Sequence, residues 1–273
     1  MTRRTVLGVL AALSSGAANK QDGVLLLRAR SRKYDLEAVS TLRWKVRETA
    51  VIVCDMWDDH YCKNSAKRVG EIAPRMNAVL KSARAIGVQI IHAPSGTMNV
   101  YEGTPQRKRM MAAKKTTPPV PIGKWCYLEE GKEGKLPIDD VTEPCDDPVV
   151  GEKVRRYNRQ NALLDIVEPD GVSDSGEEIY NFFEQQGIKN VVLMGVHLNM
   201  CVLGRPFGIR QMTKLGKNVV LARDLTDSMY DPRQKPHVSH SAGTELMVKH
   251  VEKHWCPSIV GADLTRLAES VTG

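Results

Sequence analysis

Val191-Val192-Leu193-Met194-Gly195-Val196-His197-Leu198-Asn199-Met200-Cys201-Val202 is the stretch on which the fold turns. A continuous apolar run of this length is what a strand buried on both faces looks like. Gly195 interrupts it, a short turn follows, and Cys201 falls where a helix should begin. In an open α/β sheet, ligands sit beyond the carboxyl ends of such strands. A thiol in the first turn of a helix feels the positive end of the dipole, which favours thiolate, and free N–H groups there can receive an oxyanion. Position alone fits a nucleophile and a buried structural cysteine about equally well.

The same grammar extends outward. Thr49-Ala50-Val51-Ile52-Val53-Cys54 reads as a core strand that delivers Asp55 to the cleft side. Between Lys67 and Ile86, apolar residues at Val69, Ile72, Ala73, Met76, Val79, Leu80 and Ala83 predict a one-faced helix stopped by Gly87. Val88–His92 is the next strand, and Asn161–Val167 a further one. Ser173 then looks like the cap of a helix ending at Gly187. A helix from Cys201 to about Gly216, a strand Asn218–Ala222 and a helix Thr244–His254 complete the series. Alternating strands and helices predict a three-layer α/β/α domain with a mostly parallel central sheet.

That domain is expected over 49–273, with an irregular Pro-, Gly- and Lys-rich insertion at about 97–148 beside the cleft. Residues 19–48 form an N-terminal extension with a short strand, Val24–Arg30, and a charged connector to Lys45. Residues 1–18, MTRRTVLGVLAALSSGAA, have the charged start, short apolar stretch and small residues of a twin-arginine-like export signal. The expected location is therefore periplasmic or extracellular, and cytoplasmic if that segment is an ordinary amino terminus. No stable membrane span is expected.

Of 273 residues, 42% are hydrophobic and 26% charged, the balance of a globular protein. The net charge of +7 is scattered, and only 5% of residues are aromatic, so a nucleic-acid surface built on base stacking is not expected. Six cysteines lack zinc-like spacing, and an oxidising compartment would permit disulfides, with Cys126 and Cys145 of the insertion the preferred pair.

Four segments together resemble the isochorismatase-like cysteine hydrolases, a family related to nicotinamidases: Thr49–Met56, Arg84–His92, Gly195–Val202 and Lys217–Asp224. The resemblance covers about Thr49 to Asp227 apart from the insertion. It implies a Cys nucleophile at Cys201, an Asp acid/base at Asp55, a Lys supplying positive charge, and a cis peptide before His197 that turns the N–H groups of His197 and Cys201 toward an oxyanion. It also implies a small amide or related C–N substrate, no cofactor, and association into a homo-oligomer. Family membership does not fix the reaction.

The Lys is missing from its aligned place, where Glu168 stands; a carboxylate there would raise the thiol pKa. Lys153 is the substitute by type, and Arg159 the nearer by sequence, although an Arg cannot shuttle a proton at neutral pH. Trp57 and Trp125 could wall the pocket or pack in the core. His92 could contact substrate or be structural, and Arg205, one turn after the thiol, could bind an anionic substrate group or cap acids. Asp58, Asp59 and His60 read as a solvated loop without metal, and His237, His240, His250 and His254 as a packing group. Two functions remain open: a hydrolase, or a binding protein in which Glu168 marks altered catalysis.

Overall fold

The computed structural model describes residues 23–268; residues 1–18, expected to be an export signal, lie outside them. Eight strands form one sheet: β1 (Val24–Lys33), β2 (Leu36–Lys45), β3 (Thr49–Cys54), β4 (Gln89–Ala93), β5 (Gly171–Val172), β6 (Asn190–Val196), β7 (Asn218–Asp227) and β8 (Ser258–Ile259). Their spatial order is β2-β1-β8-β7-β6-β3-β4-β5. Pairing is parallel from β8 through β5 and antiparallel only where β1 meets β2 and β8.

The strict alternation of the central strands makes the three layers. Ala50, Ile52, Val191 and Leu193 face helices α4 (Gly176–Gln186), α5 (Ile209–Lys214) and α6 (His240–His254) through one apolar cluster. Val51, Val53, Val192 and Met194 face the opposite cluster, filled by Val69, Ile72, Met76 and Leu80 of α1 (Lys63–Ala85). Each such side chain contributes about 1.5–3 kcal/mol by leaving water. The chain leaves β3 toward β4 and later returns to the other side of β3 as β6. The switch point therefore lies between the carboxyl ends of β3 and β6.

Four expectations need correcting. The charged connector is the strand β2, turned back at Tyr34 with φ 55°; its mostly exposed residues hide the signal, and only Trp44 is buried. The strand expected at 161–167 is irregular: Leu163 and Val167 are exposed, and only Gly171 and Val172 pair with β4. Ser175 rather than Ser173 caps α4, accepting the Glu178 N–H. Cys145 is bonded to Cys62 at the start of α1, whereas Cys126 is buried with its sulfur 3.1 Å from Gln211 Oε1.

The insertion is anchored rather than loose. It carries α2 (Pro105–Met111) and the short α3 (Glu130–Glu133). Glu133 fastens it to α5 and α6, accepting from Arg210 Nε at 2.8 Å, His250 Nε2 at 2.9 Å and Trp255 Nε1 at 2.7 Å.

Candidate active site

Asp55 leaves the end of β3 with φ 47° and is fully buried. Its Oδ1 accepts the backbone N–H of Ser95, which follows β4, at 2.8 Å. Its Oδ2 accepts Arg205 Nε at 2.8 Å.

β6 brings the sulfur to the same place. Gly195 has φ 110°, and a Cβ there would lie 2.0 Å from the Cys54 carbonyl oxygen, so only glycine lets β6 pass β3 this closely. The Val196–His197 peptide is cis. Leu198–Val202 then wind as a single π turn, with the N–H groups of Met200 and Val202 both donating to the His197 carbonyl. The expected continuous helix is thus broken: a π turn holds Cys201, Pro206 follows, and α5 starts only at Ile209.

Cys201 is 8% exposed and its thiol is within hydrogen-bonding reach of Asp55. Burial first, then the Asp55 charge, push the thiol well above its ordinary pKa; Arg205 and the His197 backbone oppose them. The dipole argument for a standing thiolate is therefore overruled by desolvation beside a carboxylate. Burial works against the Arg205 charge, but Asp55 and the two sulfurs of Cys201 and Cys54 outweigh it, so the guanidinium stays protonated.

Aromatic rings enclose these groups. Trp57 stacks on Tyr157 at 4.1 Å and donates its indole N–H to the Ser95 carbonyl at 3.1 Å. Arg205 lies over Trp57 at 6.0 Å and Trp125 at 5.5 Å. Trp125 presses on Gly204, where a Cβ would lie 2.6 Å from the ring. Trp57 and Trp125 thus wall the centre. His60 belongs to the same ring column, 6.2 Å from Trp57, and is half-buried rather than solvated.

The other residues singled out in the sequence lie elsewhere. Lys153 is exposed and paired with Glu143 at 2.8 Å. Glu168 is on the surface, bonded to Arg109 and Gln106. Arg159 is exposed, and its backbone pairs with Asp58. His92 is fully buried, its ring nitrogens facing Gln160 Oε1 at 3.0 Å and Asp170 Oδ2 at 3.1 Å. The His197 ring bonds Ser65, and burial, then His60, lower its pKa to about 3. The cation beside the sulfur is Arg205, and the i, i+4 spacing from Cys201 was the signal for it. Ser95 and Tyr157 were missed; Ser95 was findable as the residue ending the strand next to Asp55, whereas nothing in the sequence points to Tyr157.

Cys62, Cys145 and Asp147 place potential ligand atoms within 4.8 Å of one another, but the two sulfurs are joined to each other and are not available as thiolates.

With this geometry in view, comparison with known proteins gives the class. The isochorismatase domain model matches residues 49–250; the chain belongs to the isochorismatase family and is a hydrolase of that fold. A cysteine hydrolase from Pseudomonas syringae pv. phaseolicola 1448A superposes with a TM-score of 0.50 at 14% identity, covering 81% of this chain and 92% of the other. An isochorismatase from Pseudomonas putida KT2440 gives a TM-score of 0.47 at 12% identity, covering 80% of this chain and 90% of the other. No curated protein matches the chain in sequence.

Proposed function

We propose that the chain is a cysteine hydrolase of a small carboxamide or related C–N substrate, with Cys201 as nucleophile and Asp55 as acid and base. The observation that carries this is one pairing: a buried thiol interacting with a buried carboxylate that also accepts from the Arg205 guanidinium and the Ser95 N–H. Asp55 takes the thiol proton as sulfur attacks the carbonyl carbon. The new thiolate character is met by Arg205, which holds charge but moves no proton. The oxyanion is received by the backbone N–H groups of His197 and Cys201. Asp55 then protonates the departing nitrogen, leaving a thioester that water, deprotonated by Asp55, hydrolyses.

A panel of small primary amides, ureas and carbamoyl compounds assayed for ammonia release tests this. Release that disappears in Cys201→Ser supports it; release unchanged in that variant excludes Cys201. The binding-protein reading loses its premise, because Glu168 is paired with Arg109 on the surface and does not touch the sulfur.

We also propose that the protein is exported, to the periplasm or the extracellular space. The composition of residues 1–18 and the Cys62–Cys145 disulfide both fit an oxidising compartment. Fractionation of cells expressing the full chain should recover it outside the cytoplasm, and recovery only in the cytoplasm would contradict this.

A further inference from the structure

We infer that Ser95 and Arg205 hold a carboxylate of the substrate beside the Cys201 sulfur, so that the enzyme prefers amides bearing an acid group close to the scissile carbon. This rests on Cys201 being the nucleophile.

Arg205 uses only Nε on Asp55; its two η nitrogens have no hydrogen-bond partner among the described residues. Ser95 is 4% exposed, and its Oγ is buried with no hydrogen-bond partner among the described residues. A buried hydroxyl left unpaired costs about 1–3 kcal/mol, so such an atom points to a missing ligand group. Both residues line one cavity of about 370 Å³, together with Lys124, Ser175 and Gly176. Two acids also line it: Asp174, half-buried, already accepts the Gly96 N–H at 2.8 Å, and Glu177 is exposed. Arg205 and Ser95 bring to this cavity the η N–H groups and one unpaired hydroxyl. Guanidinium N–H groups only donate, and a carboxylate only accepts; the two match as a charge-assisted pair. Because the Arg205 charge also acts on the Cys201 sulfur, a carboxylate held by it would sit close to the attacked carbon.

The test compares iodoacetate with iodoacetamide at Cys201, read by peptide mass spectrometry. Both reagents attack the same sulfur, so the ratio of their rates cancels the reactivity of the thiol and reports only recognition of the carboxylate. The ratio for the wild type should exceed that of glutathione by about tenfold or more, with saturation by iodoacetate alone. It should fall to the glutathione value in Arg205→Gln and drop several-fold in Ser95→Ala. A wild-type ratio equal to that of glutathione overturns the subsite while leaving the nucleophile standing. Should neither reagent label Cys201, the nucleophile reading fails, and thermal melting with malonamate against malonamide decides the subsite alone. A larger shift with malonamate that is lost in Ser95→Ala supports it, and equal shifts overturn it.

Discussion

Among the buried carboxylates that an arginine meets, Glu133 and Asp55 are built to opposite ends. Glu133 is saturated: Arg210 grips it with Nε and Nη2, and His250, Trp255 and the Glu129 N–H take the remaining lone pairs. Asp55 is met by one nitrogen of Arg205, one backbone N–H and a thiol. Burial alone would raise Glu133, yet the hydrogen bonds from His250, Arg210 and Trp255 bring it down to about 2. At the Asp55 end, the strain falls on the partner instead, and Cys201 is pushed up. A saturated ion cluster locks the insertion to α5 and α6; an unsaturated one leaves a proton free to move and donors free to bind.

The comparison can be broken in order of expected effect. Asp55→Asn removes the base and should lower turnover by about 10³-fold or more with little loss of the fold, measured on any amide the panel identifies; a loss under tenfold would move the base elsewhere. Glu133→Ala should do the reverse. Removing one side of a buried pair costs about 3–5 kcal/mol, so melting should drop by roughly 10 °C for a chain of this size, while the alkylation rate of Cys201 changes little.

Acid should reach the two regions at different pH. His197, beside the thiol, has a folded pKa of about 3 below its ordinary 6.5. The unfolded chain thus binds its proton first, and the stability carried by the neutral ring is lost as pH falls from about 6.5 toward 3. Glu133, at about 2 against an ordinary 4.5, keeps its contribution until pH falls below about 5 and loses it on the way to 2. Ser65→Ala should first alter an acid melting curve between about pH 6.5 and 5, and Glu133→Gln only below about pH 5. The smallest effect belongs to Gly204→Ala, which crowds Trp125 and should cost about 1–3 kcal/mol by overpacking; a variant as stable as the wild type would mean the ring has room to shift.

The parts of the fold that could be read in the sequence are those whose burial shows as an unbroken pattern. β3, β6 and the one-faced α1 are of this kind, and their order sufficed for the layers and the switch point. β2 was illegible because an edge strand with one buried residue looks like a charged loop. β5 has two residues, too few for any period. At the site, Asp55 and Cys201 followed from strand ends. The cation did not: by alignment its place falls at Glu168 or upstream of Asn161, at Lys153 and Arg159, whereas the turn after Cys201 brings Arg205 to the sulfur. Ser95 acts through a missing partner, which only coordinates can show.

The pH profile of Cys201 alkylation by iodoacetamide, compared between the wild type and Asp55→Asn, tests the central claim most directly. With Asp55 drawing the proton from a resting thiol, the wild-type rate should be nearly flat from about pH 6 to 8, and the variant should climb about tenfold per pH unit, as a free thiol below its pKa does. Identical climbing profiles in the two proteins would contradict the assignment of Asp55 as the base for Cys201.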